Sequence, residues 1–186
     1  MNRKLASALE RMAQVFKVLL LEEGGKHQLS PLQVELLVFL LHHPKTLRTV
    51  TQLAREFNVS KATISIALRP LLAKKLIERS ETSDLRSFSI NLTSRGKILA
   101  SQLNRYAAPV EQVIEQLAEE DKSLLLQQLL TLLYQLQKAG IIHPMRMCFT
   151  CSNYSRLPDG SAYCQLLQKT LQHADLRIDC PEHQAA

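Results

Sequence analysis

Residues 49–92 read TVTQLAREFNVSKATISIALRPLLAKKLIERSETSDLRSFSINL and contain the clearest structural pattern in the chain. A Thr-x-x-Gln capping box at Thr49 predicts the start of a short helix with one apolar face. A turn follows at residues 58–59, and Ser60 is placed to cap a second helix over residues 61–75. A short helix, a tight turn and a capped second helix are typical of a helix-turn-helix motif.

The second helix has one face suited to a core and another suited to a ligand. Its apolar face consists of Ile64, Ala67, Leu68, Leu71 and Leu72. The residues at its start or on its outer face, from which side chains reach base edges, are Lys61, Ala62, Thr63, Ser65 and Ile66. Pro70 interrupts the pattern, since an interior proline costs a helix about 3 kcal/mol. We therefore expect a kink, or a helix end near Arg69.

Two strand-like runs come directly after this helix. Residues 76–80 form the first, and residues 87–92 alternate polar and apolar side chains, as expected for a half-buried strand. The polar loop 81–86 joins them. The pattern predicts a β-hairpin, or wing, next to the second helix.

The positive charge of the chain is concentrated in this region. Residues 45–97 contain 11 Lys and Arg against 4 Asp and Glu, whereas the rest of the chain contains 12 against 13. A localised basic surface is expected where a protein binds phosphates. Outside the wing loop, the predicted DNA-binding residues are Thr49, Ser60, Lys61, Ala62, Thr63, Ser65, Ile66, Arg69 and Lys74.

The wing and the residues after it resemble a known family. An Asp-x-Arg pair at Asp84 and Arg86 is followed by Leu-Thr-x-x-Gly, which ends at Gly96. The chain is similar in this to the MarR family of bacterial winged-helix transcription regulators. The resemblance implies that Arg86 enters the DNA minor groove, that Asp84 holds this arginine, and that the helix after Ser60 lies in the major groove. Lys75 stands where the family usually has glycine.

The resemblance also implies a mainly α fold, a winged helix-turn-helix with flanking dimerisation helices. Three stretches have the apolar spacing that such helices need: residues 4–22, a long helix that begins at Thr93 with apolar residues as far as Leu117, and residues 124–136. We expect Pro109 to bend the second of these helices. A homodimer of this kind binds double-stranded DNA at a pseudo-palindromic operator, here as a repressor. MarR-like proteins often bind a small aromatic inducer as well.

The remaining bulk properties define where such a protein would act. The chain of 186 residues lacks the roughly 18 uninterrupted apolar residues of a membrane span and has no signal-peptide pattern, so we expect a cytoplasmic protein. No constellation of Ser, His or carboxylate residues resembles a catalytic site, so we do not expect an enzyme. We divide the chain into an N-terminal dimerisation helix (1–28), the DNA-binding domain (29–97), dimerisation helices (93–140) and a cysteine-rich tail (141–186).

The tail contains every cysteine of the chain: Cys148, Cys151, Cys164 and Cys180. In a reducing compartment such a cluster indicates metal or redox chemistry rather than disulfides. Zinc could bind Cys148, Cys151, Cys180 and His183 as two close pairs, which leaves Cys164 unused. An iron–sulfur cluster would use all four cysteines, and the stretch is similar to small high-potential iron–sulfur proteins. The sequence slightly favours the iron–sulfur cluster, and either metal centre could be structural or could sense redox or metal state.

The tail also suggests a rival hypothesis from another class of protein. The chain could be a small electron-transfer protein in which the winged helix serves as a protein-docking module. The basic, capped second helix favours the DNA-binding regulator, since docking of an electron carrier requires neither a reading helix nor a wing arginine.

Overall fold

The structure is a computed structural model that describes residues 1–81 and 88–186. It consists of two compact units, Met1–Gln112 and Val113–Ala186. Within the described ranges, no helix combines the length and the apolar character needed to cross a membrane. The fold is mainly helical with small antiparallel sheets, and the winged-helix prediction is confirmed.

The elements of the first unit follow the predicted order. They are α1 (Asn2–Gly25), α2 (Pro31–His42), a 3-10 turn (Lys45–Leu47), α3 (Val50–Glu56), α4 (Lys61–Ala73), β1 (Ile77–Glu81), β2 (Phe88–Leu92) and α5 (Ser94–Leu103). The helix α6 (Ala108–Glu115) lies where the two units meet along the chain.

The helix α2 is central to the first core because it is apolar nearly all round. Ser30 caps it, since its Oγ accepts a hydrogen bond from Gln33 N–H while Gln33 Oε1 accepts one from Ser30 N–H. Two buried leucines of α2, Leu36 and Leu37, pack in one cluster with Leu53 of α3 and with residues of α4 and the hairpin. Burial of such side chains stabilises the unit by roughly 1.5–3 kcal/mol each.

The hairpin packs against the start of the helix-turn-helix. Its strands are antiparallel, with Ile77 opposite Leu92 and Glu81 opposite Phe88. Ile90 N–H donates to the carbonyl of Arg48 over 2.9 Å. These hydrogen bonds fix the wing to the segment that leads into α3.

Two predictions about proline-containing helices differ from the structure. The helix α4 continues through Pro70 to Ala73, so the predicted helix end near Arg69 is wrong. The buried side chains of Leu68 and Leu71 hold the last turn of α4 on the core. The single long helix predicted from Thr93 is also wrong, because a turn over residues 104–107 separates α5 from α6. Pro109 lies in the first turn of α6, where its missing N–H is tolerated.

The second unit contains α7 (Glu119–Lys138) and the cysteine-rich tail. The tail forms a three-stranded antiparallel sheet of β3 (Tyr154–Arg156), β4 (Ala162–Cys164) and β5 (Lys169–Leu171). Leu130 of α7 packs in one buried cluster with Met147, Leu171 and Leu176. The tail is therefore joined to α7 by a small core of its own.

Candidate functional site

The turn between α3 and α4 sets the direction of α4. Asn58 adopts a left-handed conformation with φ 51°, which asparagine tolerates better than most residues. Val59 N–H donates to the Ala54 carbonyl over 3.0 Å and closes the end of α3. Ser60 Oγ then accepts a hydrogen bond from Thr63 N–H over 3.0 Å, which confirms the predicted cap of α4.

One face of α4 is buried and the other is open to solvent. The buried side chains are Ile64, Ala67, Leu68 and Leu71. The exposed ones include Lys61, Ala62, Thr63, Ile66 and Arg69, and Ser65 is half-buried. Ile66 is 63% exposed and adds an apolar side chain to this otherwise polar face. The structure thus places five of the predicted DNA-binding residues together on one accessible surface.

The side chains of two basic residues in this region bind backbone carbonyls of the first unit. Lys74 Nζ donates to the carbonyls of His27 and Gln28, over 2.9 and 2.8 Å. Arg48 donates through Nε to the carbonyl of His43 over 2.7 Å, and its burial lowers the pKa of its guanidinium. Both cations therefore serve the packing of the first unit, although Lys74 was among the predicted DNA-binding residues.

Thr49 also has a structural role, as the N-cap of α3. Its Oγ1 accepts a hydrogen bond from Gln52 N–H over 3.3 Å and caps α3. The half-buried side chain lies at the foot of the wing, since Thr49 pairs with Ser89 in an isolated antiparallel bridge.

The described part of the wing carries one arginine that the sequence did not single out. The guanidinium carbon of Arg79 lies 4.4 Å from the centre of the Phe88 ring, a cation–π contact across the two strands. The contact orients the exposed guanidinium group of Arg79. Asp84 and Arg86, the predicted wing-tip pair, lie outside the described residues.

The Leu-Thr-x-x-Gly motif joins α5 to the end of α4. Thr93 Oγ1 accepts a hydrogen bond from Gly96 N–H over 3.0 Å and donates to the Lys75 carbonyl over 2.8 Å. A Cβ on Gly96 would lie 1.8 Å from the Leu76 carbonyl oxygen, a distance that only glycine permits. The motif is thus explained by close packing and not by contact with a ligand.

The comparisons with known proteins agree with this geometry. A sequence model described as MarR family matches residues 27–87. The Staphylococcus aureus protein MepR, solved in a complex with DNA, is 25% identical to this chain. The superposition has a TM-score of 0.63 and covers 72% of this chain and 98% of MepR. The chain shares the fold of MarR-family winged-helix regulators.

Two further solved structures share the fold of this chain. FabT of Streptococcus pneumoniae, in a complex with DNA, is 24% identical with a TM-score of 0.61, over 75% of this chain and 99% of FabT. A MarR transcriptional regulator from Methanosarcina mazei is 16% identical with a TM-score of 0.60, over 75% and 97% of the two chains. No curated protein matches the chain.

About a quarter of this chain has no counterpart in MepR, given the 72% and 98% coverage. The cysteine-rich tail contains a second group of chemically reactive side chains. Cys148, Cys151, Cys164 and Cys180 are half-buried free thiols that line one cavity together. Apolar side chains, Leu166, Leu167 and Leu171, and the polar residues Asn153, Asp175, Arg177 and Glu182 complete the lining of the cavity.

Several donors are directed at the sulfur atoms. Arg177 N–H donates to Cys148 Sγ over 3.2 Å, and the Arg177 guanidinium donates to Cys180 Sγ over 3.7 Å. Asn153 Nδ2 lies 3.9 Å from Cys151 Sγ. Burial raises the pKa of the Cys180 thiol, whose S–H donates to Glu182 over 3.4 Å.

His183, the alternative zinc ligand predicted from the sequence, makes a different contact. Its Nε2–H donates to the carbonyl of Thr150 over 3.0 Å. The cavity lining does not include it. Among residues 1–81 and 88–186, no three His, Cys, Asp and Glu side chains converge closely enough to share a single metal ion.

Proposed function

We propose that the protein is a homodimer that binds a pseudo-palindromic operator in double-stranded DNA and represses transcription there. The observation that carries the proposal is the exposed, capped start of α4. Lys61, Thr63, Ile66 and Arg69 share one accessible surface, while the opposite face of the same helix is anchored in the core.

The chemistry of this surface suits the DNA major groove. Lys61 and Arg69 can pair with phosphates or with the acceptors of guanine, and Thr63 can contact any base edge. Ile66 can pack against the methyl group of thymine, which accounts for an apolar residue on a solvated face. Arg79 of the wing adds a cation next to the duplex backbone.

Exposed apolar faces on two helices support the proposed dimer. The helix α1 buries only Leu20 and Gly24, while Leu5 is 58% exposed and Leu9 and Met12 are also exposed. These residues recur along α1 with the spacing of a helix-packing seam. In the second unit, α7 leaves Leu124, Leu125 and Leu132 exposed as well. A homodimer covers such apolar faces, and its two-fold axis places two copies of α4 about 34–36 Å apart on one side of the DNA.

The operator proposal is tested by selection and titration. A pool of random duplexes is enriched with the full chain, and the affinity of the selected duplex is measured by fluorescence anisotropy over a range of salt concentrations. We expect an inverted repeat, two chains bound per duplex and a steep loss of affinity with salt. Arg69→Ala should weaken binding about tenfold or more.

Arg105→Ala is the matched control, because Arg105 is an exposed arginine of the first unit that lies away from α4 in the sequence. It should bind the operator like the wild type. If no sequence is enriched by well-folded protein, or if both variants bind equally well, α4 does not read DNA. The protein-docking hypothesis would then be preferred.

We further propose that the tail holds a metal centre, either zinc or an iron–sulfur cluster. Four thiols that line one cavity support this proposal, together with the donors directed at their sulfur atoms. Cys148 and Cys164 also pack against the cluster that contains Leu130 of α7. Loss of the centre would loosen this packing, so the proposed centre either clips the tail to α7 or reports redox or metal state to the dimer.

A further inference from the structure

A second cavity of the tail lies apart from the cysteines, between α7 and the three-stranded sheet. Its volume is about 520 Å³, and no cysteine is among the residues that line it. One wall is a single face of α7, which carries Gln127, Thr131, Tyr134 and Gln135 at intervals of three and four residues. Sites for small molecules have volumes of roughly 300–1,000 Å³, so this cavity is large enough to hold one.

Aromatic rings form the apolar part of the lining. The ring of Phe149 packs edge-on against the rings of Tyr134 and Tyr154, with centroids 5.8 and 5.5 Å away. The buried side chains of Leu171 and Leu176 lie beside them in the same lining. Such a surface favours a ligand with an apolar body.

The charged side chains of residues 141–186, all of which the structure describes, are paired with one exception. Three ion pairs join Arg146 with Asp179, Lys169 with Asp175, and Arg177 with Glu182. The fourth carboxylate, Asp159, accepts hydrogen bonds from the N–H and Oγ of Ser161 over 2.9 and 2.6 Å. Arg156 is the one lysine or arginine of the tail that has no carboxylate partner among the described residues.

The guanidinium of Arg156 borders the cavity and is held there by its neighbours. Its Nη1 donates to the Gly160 carbonyl over 3.2 Å, and its side chain also makes a hydrogen bond with the phenol of Tyr154. Burial raises the pKa of that phenol, which therefore stays neutral at pH 7. A guanidinium has five N–H donors, so others remain for a ligand. No carboxylate of the described residues lines the cavity.

We propose that this cavity binds a small organic anion. The apolar body of the ligand packs against the rings of Tyr134, Phe149 and Tyr154, and its carboxylate pairs with Arg156. A guanidinium matches a carboxylate with two parallel hydrogen bonds, which a neutral or cationic ligand cannot accept in the same way. The site goes beyond the proposed binding of an operator and does not depend on a metal in the tail.

Three naphthalene probes that differ mainly in charge test the proposal. They are 2-naphthoate, the neutral 2-naphthylmethanol and the cationic 2-naphthylmethylamine. Each is titrated with the full chain and followed by its fluorescence, which tryptophan does not mask because the chain contains none. We expect 2-naphthoate to bind about tenfold or more tightly than the alcohol, and the amine to bind most weakly.

Two substitutions test whether Arg156 is the source of this preference. Arg156→Gln should lower the affinity for 2-naphthoate to that for the alcohol and should leave the affinity for the alcohol unchanged. Lys169→Gln is the matched control, because Lys169 is an exposed cation of the same sheet that does not line the cavity. It should keep the preference for the anion.

A second pair of substitutions tests where the probe binds. Thr131 is exposed on the cavity face of α7, so Thr131→Phe should fill part of the space and abolish binding of 2-naphthoate. Leu132→Phe is its control, since Leu132 is the next residue along α7, is 48% exposed and does not line the cavity.

The proposal is overturned if wild-type protein binds the three probes equally or binds none of them. It is also overturned if Arg156→Gln weakens the acid and the alcohol to the same extent, or if Thr131→Phe binds 2-naphthoate like the wild type. Far-ultraviolet circular dichroism checks the fold of each variant. Should Arg156→Gln be unfolded, the comparison of the three probes on the wild type decides the matter without it.

Discussion

At the scale of single residues, Gly96 shows how closely α5 approaches the chain in front of it. The carbonyl oxygen of Leu76 occupies the space that a Cβ at this position would need, at 1.8 Å. Thr93 N–H and Thr93 Oγ1 bind the same carbonyl, over 3.1 and 3.2 Å. The contact links the end of α4, the start of β1 and the first turn of α5.

Gly96→Ala is expected to lower the free energy of unfolding by about 3 kcal/mol or more, since the added methyl group forces α5 away from backbone that cannot move alone. Urea denaturation followed by circular dichroism measures the change. Gly25→Ala is the control, because a Cβ there would meet no described atom within 4 Å. Equal losses in the two variants would show that Gly96 is not a site of close packing.

The roles of single residues could be predicted from the sequence where they depend on residues close by in the chain. The caps at Ser30, Ser60 and Thr93 each involve a backbone N–H three residues ahead, so a short motif defines them. The direction of Lys74 and Arg48 was not predictable in this way. Their acceptors are carbonyls of other segments, and a count of charges cannot tell a surface cation from one that binds backbone.

At the scale of elements, the end of α4 carries a strained residue. Lys75 has φ 54°, a left-handed conformation that side chains with a Cβ rarely adopt. Lys75 N–H donates to Leu72 and Leu76 N–H to Leu71, the Schellman arrangement that glycine usually completes. Lys75, which stands where the family usually has glycine, thus adopts the left-handed backbone conformation that glycine favours.

Lys75→Gly should raise the free energy of unfolding by about 1 kcal/mol, because it removes the clash between Cβ and the backbone. Thermal unfolding at fixed pH and salt would register the gain as a higher Tm. Lys75→Ala separates this effect from loss of the charge, since alanine keeps the Cβ. If alanine stabilises as much as glycine, the gain arises from removal of the lysine charge or chain, and not from relief of strain.

The two prolines show what sequence periodicity can and cannot predict about elements. Both interrupt an apolar repeat, yet α4 continues past Pro70 while the chain turns before Pro109. Leu68 and Leu71 are buried on either side of Pro70, and this packing outweighs the lost hydrogen bond. None of the residues of α6, all described, is buried, so burial of α6 does not favour a continuous helix across residues 104–107.

At the scale of the whole molecule, the division into units groups α7 with the tail. The sequence placed α7 among the dimerisation helices and treated residues 141–186 as an appendage. The apolar cluster of Leu130, Met147, Leu171 and Leu176 could not be predicted, because its members are far apart in sequence and the three from the tail belong to no repeated pattern. The helix proposed to contact a second copy is thus also the support of the cysteine cavity.

This arrangement predicts that operator affinity depends on the state of the tail. Protein stripped of metal should bind the operator roughly 5- to 150-fold more weakly than loaded protein, the usual range for coupled sites. Anisotropy titrations at one salt concentration, with Cys164→Ser as a second cluster-deficient sample, measure the difference. Equal affinities would identify the centre as a structural clip without a sensing role.

The hydrogen bonds of Lys74 also have a mechanical consequence. Its ammonium group connects the C-terminal end of α4 to the two carbonyls that follow α1, at His27 and Gln28. A displacement of α1 would therefore act directly on α4 through these two hydrogen bonds.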